Sequence, residues 1–107
     1  TFINIEGSVA IWGASHQALT LLAMTHSTNV KWIADSAVFK QGKVDPIRGI
    51  PIVSPDEMLS KKPENIIVLA AGYSNEIRNI LIEEKEYLGS IFLIEDIISN
   101  YKSRQNI

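Results

Sequence analysis

An apolar run that turns at a glycine into a helical pattern, followed by a second run closing on an acid, constrains this chain more than any other feature. Residues 8–16 read SVAIWGASH, and the next apolar run, 30–34, ends at Asp35, 22 positions after Gly13. A short, continuously apolar strand is buried on both faces, the property of a central parallel strand. Strand, glycine turn, helix and a second strand closing on an acid together open a Rossmann-like βαβ unit. In such units the first turn and the acid face a nucleotide. The glycine fingerprint is incomplete: in place of Gly-x-Gly-x-x-Gly stand Gly13, Ala14, Ser15, His16, Gln17 and Ala18. The fold is therefore better specified than the ligand.

The rest of the chain repeats the alternation. Ala18, Leu19, Leu22 and Ala23 recur at helical spacing. Residues 37–49 carry Gly42, Pro46 and Gly49 without periodicity and read as a loop. A short strand at 50–53 contains Pro51, which suits an edge or a strand start. Ser54, Pro55 and Glu57 then form a helix start with a capping box. Residues 65–71 are the clearest strand, and Gly72 and Tyr73 lead into a long helix with Ile77, Ile80, Leu81 and Leu88 on one face and Gly89 as its left-handed C′ residue. A last strand at 90–94 precedes a final helix opened by Glu95 and Asp96. Right-handed crossovers then predict a three-layer α/β/α domain around a mainly parallel five-stranded sheet in the order 3-2-1-4-5.

At 107 residues this is one domain. A net charge of −2, with no basic run or aromatic platform, gives no case for nucleic acid or an anionic membrane as partner. Zero cysteines rule out disulfides and thiolate zinc sites, and only His16 and His26 supply imidazole. The longest apolar stretch, 66–71, is far short of a membrane span. No segment has the layout of a secretion signal, so a cytoplasmic location is the default expectation.

The expected switch in strand order brings together Gly13, Ala14, Ser15 and His16 on one side, Gly72 and Tyr73 on the other, and Asp35 at the flank. For each residue a functional reading stands beside a plainer one. The amides after Gly13 can receive phosphate, or the glycine can simply permit a tight βα turn. Ser15 can donate to phosphate or cap the helix. Asp35 has the place of a ribose-binding acid and equally of a residue that caps the following turn. Tyr73 can lie over the crevice or pack on the final helix. Lys40, Gln41, Gly42 and Lys43 form a mild basic spot that solvation explains. No nucleophile–base or carboxylate pair falls at a usable spacing, so no catalytic residue is expected in this chain.

The series Trp12-Gly13-Ala14, then Asp35, then Lys40-Gln41-Gly42, then residues 50–57 (IPIVSPDE) resembles the C-terminal domain of SAM-dependent sugar C-methyltransferases. The strand at 66–71 and the helix start at Asn75, Glu76 and Ile77 are also similar, so the resemblance spans most of residues 8–96. It implies a Rossmann-like domain within a three-part enzyme. Zinc and SAM are then held by a cysteine-rich N-terminal domain and a central methyltransferase domain. This domain lends a nucleotide-sugar cleft and an interdomain scaffold, with the methyltransferase domain as its intramolecular partner. The chain opens at Thr1 without methionine, and the expectation is a domain cut from a longer enzyme. Two positions depart from the family: Ser15-His16-Gln17 replaces a glycine-richer turn, and Gly72-Tyr73 stands where Trp-Asn is usual. A stand-alone nucleotide- or dinucleotide-binding regulatory module is the alternative reading, and a ligand-free scaffold a third.

Overall fold

A computed structural model describes residues 6–13, 29–70, 72–94 and 96. Five strands are present: β1 (Val9–Trp12), β2 (Val30–Ala34), β3 (Ile52–Val53), β4 (Asn65–Val68) and β5 (Ser90–Leu93). They form one sheet in the order β3-β2-β1-β4-β5, and every pairing is parallel. This is the predicted order. The helix expected over 18–27 and the final helix past Asp96 lie outside the described residues.

Side-chain alternation along the strands makes two separate apolar layers. Val9, Ile11, Ile33 and Ile67 are buried together on one face with Ile50, Leu69 and Ile94. Ala10, Ala34, Ile66 and Val68 are buried on the other, under Met58 and Leu81. A lysine in the middle of β2 has no place in either layer. The pairing of β1 with β2 shifts between Val9 and Ala10, whose partners are Val30 and Trp32. Lys31 is thereby the extra residue of a bulge, and it is exposed.

Helix α1 (Pro55–Ser60) starts as its sequence dictates: Ser54 Oγ accepts the Glu57 N–H at 3.1 Å, and Pro55 fills the first turn, where no N–H is needed. Its Met58 is fully buried against the sheet. The second helix departs from expectation. Helix α2 (Ser74–Asn79) passes into a single π turn over Ile80–Glu84 and ends at Lys85. Ile77 and Leu81 do pack on the sheet. Leu88, placed on the same face by its spacing, lies beyond the helix and is 97% exposed. Gly89 is not the left-handed C′ residue; Glu86 takes that conformation, at φ 52°. Gly89 is small for another reason: a Cβ there would meet the Tyr87 ring and lie 2.6 Å from the Glu64 carbonyl oxygen. The wide turn ends the helix early enough for Tyr87 to fold back, and its hydroxyl donates to the Pro63 carbonyl at 2.8 Å.

Burial, with the Glu64 carboxylate nearby, pushes the Tyr87 phenol up to about 12. A raised folded value means that this stabilisation is complete below the unfolded value of about 10 and is lost as pH rises through the folded one. Tyr87→Phe is expected to lower stability by about 1 kcal/mol in urea unfolding at pH 7. In an ultraviolet titration it should remove the tyrosine that ionises at about pH 12.

Candidate functional site at the carboxyl edge of the sheet

Parallel register aligns the strand ends. Trp12 pairs with Ala34 and with Val68, and Ala34 pairs with Val53. One residue further on, the Gly13 N–H donates to Ala34 O at 2.7 Å, Asp35 N–H to Val53 O at 3.0 Å, and Leu69 N–H to Trp12 O at 2.9 Å. Gly13, Asp35 and the turn after β4 therefore leave the sheet along one edge. Gly13 has φ 121°, and a Cβ built on it would stand 3.0 Å from the Leu69 carbonyl oxygen and 3.4 Å from Leu69 Cβ. Both the backbone conformation and the close approach of β4 call for glycine here. Of the residues expected beside it, Ala14, Ser15 and His16 lie outside the described residues.

Asp35 shows its turn-capping role in its hydrogen bonds. Oδ1 accepts the Ala37 N–H at 2.8 Å, and Oδ2 lies 3.7 Å from Lys40 Nζ. The Asp35 carbonyl accepts from Gln41 Nε2 at 2.8 Å. The Lys40-Gln41-Gly42 segment is thus more than a solvated basic spot. Lys40 reaches back to Asp35 with its ammonium 5.8 Å from the Phe39 ring centre, and the Gly42 N–H donates to Ile52 O. Across the switch point Tyr73 is 68% exposed, and its N–H closes a turn onto Ala70 O at 2.8 Å. Ser74 beneath it is buried, with Oγ donating to the same carbonyl at 3.0 Å.

A groove of about 490 Å³ opens beside this turn, lined by Gly72, Asn75, Glu76, Arg78, Leu93 and Asp96. It shares Gly72 with the predicted set. It lies on the β4–β5 side, away from Gly13 and Asp35. Among the described residues no group of three or more His, Asp or Glu is placed to hold a metal. None of the described helices is long and apolar enough to cross a membrane.

One buried acid escaped notice in the sequence. Asp45, 2% exposed, accepts the N–H groups of Ile47 and Arg48 on Oδ1, each at 2.8 Å, and that of Ile50 on Oδ2 at 2.5 Å. Its signal was present as Asp45-Pro46, an aspartate at the first and a proline at the second position of a type I turn. Burial pushes the carboxyl up. The Arg48, Ile50 and Ile47 N–H groups, together with the Arg48 charge, outweigh it and hold Asp45 below its ordinary value.

Two outcomes are expected. Gly13→Ala should cost roughly 1–3 kcal/mol by thermal or urea unfolding, because strain and contact add. A lowered folded value for Asp45 means that its stabilisation is present above the unfolded value of about 4 and is lost as pH falls through the folded one. Asp45→Ala should therefore cost about 2–3 kcal/mol at pH 7 and progressively less as the medium is acidified.

Two comparisons place these residues among known proteins. The family model for the C-methyltransferase C-terminal domain matches residues 3–94. The C-methyltransferase NovU of Streptomyces niveus is 35% identical over 92 residues, which cover 81% of this chain and 21% of that protein. The chain thus spans about a fifth of the length of the curated relative it matches. No solved structure matches it.

Proposed function

The chain belongs to the C-methyltransferase C-terminal domain family, and from that premise we propose that it is the non-catalytic companion domain of a SAM-dependent sugar C-methyltransferase. In this role it supplies one wall of a nucleotide-sugar cleft and a scaffold for the domain that transfers the methyl group. The family match across residues 3–94 carries the reading. The carboxyl edge of the sheet supports it, since ligands of open α/β sheets bind where the strand order switches. β1 and β4 flank that switch here.

The wall has three parts. In this reading the backbone amides of Gly13, Ala14, Ser15 and His16 receive the phosphates. Asp35 keeps Oδ1 on the Ala37 amide and offers Oδ2, beside Lys40, to a ribose or sugar hydroxyl. Tyr73, exposed after Gly72, offers a ring face to the base or sugar. The donors of this chain do not suit zinc bound by thiolates, because it has no cysteine. SAM and zinc are assigned to the rest of the polypeptide, and no step of methyl transfer is assigned to a residue of this domain.

Nitrogen-15 labelling of the domain and titration with a nucleoside-diphosphate sugar tests the wall. The amides of Gly13, Asp35, Gly72 and Tyr73 should shift first. Leading shifts at the opposite strand ends, near Lys61 to Asn65, would place the ligand elsewhere and end the reading. Supplied with SAM and the sugar nucleotide, the 107-residue chain alone should show no methyl transfer above background.

A further inference from the structure

The exposed large apolar side chains of the described residues are unevenly spread. Four of the seven, Val38, Phe39, Val44 and Ile47, fall within ten positions of one another, and Val38 and Phe39 are 79% and 71% exposed. Single apolar residues at a surface need no explanation, but four presented from one short segment favour a contact surface. These four sit on a segment whose backbone is firmly held. Asp35 caps its start, Asp45 gathers three N–H groups in its middle, and Gly42, Lys43 and Asp45 exchange hydrogen bonds with residues 50–52. A rigid segment that presents apolar side chains outward binds without first paying to be ordered.

The exposed charged residues of this segment, Lys43 and Arg48, are both basic. Lys40 is half-buried beside Phe39 and paired with Asp35, and the only acid between 38 and 48 is the buried Asp45. Residues 35–48 hold three basic and two acidic side chains, with Lys40 beside Asp35 and Arg48 acting on Asp45, so the segment is weakly positive on a chain of net charge −2. A two-fold contact between copies of this face would bring Lys43 and Arg48 no exposed carboxylate from residues 38–48. A different surface, apolar at its centre and carboxylate-bearing at its edge, suits this face better than a second copy does.

We infer that Val38, Phe39, Val44 and Ile47 form the surface on which the methyl-transferring part of the same polypeptide docks. The inference rests on the functional reading above, in which this domain is one part of a larger enzyme. The relative NovU has 79% of its length outside the matched region, ample chain to supply such a partner. The location adds a consequence: the segment follows Asp35 directly, and Gln41 is tied to the Asp35 carbonyl. A domain seated here closes the Asp35 flank of the crevice and brings its own groups to a bound sugar.

The test uses the intact enzyme that carries this domain. With p-benzoylphenylalanine in place of Phe39, irradiation should join this position to peptides outside residues 1–107 of the same molecule. The same group at Lys62, exposed after α1, should not form those links. Links only between copies of residues 1–107, or none at position 39, would overturn the inference. In a second arm, Val38→Asp combined with Phe39→Asp should split a single thermal transition of the intact enzyme into two. One unchanged transition would count against docking at this face. Neither readout depends on nucleotide-sugar binding, so loss of the proposed cleft and loss of the docking surface are separate results.

Discussion

The parallel pairing of β1 with both β2 and β4 is the constraint on which the remaining structure depends. β1 lies at the centre of the sheet with pairing partners on both sides, and Val9, Ala10 and Ile11 are completely buried. No polar side chain can stand at those positions without losing its water, and no strand can slip without moving one apolar set to the wrong face. The same pairing brings the Leu69 carbonyl against Gly13 and sends the chain out at the level of Asp35. Core and crevice are thus two results of one register.

Strand order was readable because continuous apolar runs separated by helical patterns admit few parallel arrangements, and the right-handed crossover rule removes most of those. The Ser54–Glu57 cap was readable for a similar reason, since its chemistry is local. The end of the second helix was not. Leu88 continues the helical spacing, and the π turn at 80–84 that moves it off the face goes with a contact distant in sequence, Tyr87 with Pro63. Lys31 raised the same difficulty: within one segment it is a polar interruption, and only the register between β1 and β2 shows it to be a bulge.

The sheet edge that carries the candidate site was more readable than the chemistry of its residues. Spacing from Gly13 to Asp35 and the switch rule located the carboxyl edge, and the register places Gly13, Asp35 and the start of the turn to Tyr73 along it. Spacing left two uses open for Asp35, since both begin with an acid at a strand end. The hydrogen bond from Ala37 identifies the turn-capping one as a use the folded chain makes. Asp45 was missed because its three donors lie two, three and five residues ahead and converge only when the loop closes. The sequence shows a turn there, and only the fold shows a buried anion inside it.

β3 has only two residues, yet it is the last strand on its side of the sheet. Its outer side is occupied by the chain itself: Gly42 donates to Ile52 O, Ile52 donates to Lys43 O, and Val44 bridges Pro51 in antiparallel fashion. An edge covered in this way cannot template a further strand. Sheet growth into dimers or fibres is blocked on that side by a few residues of returning loop, and anything that associates there must be recognised by side chains instead of by backbone.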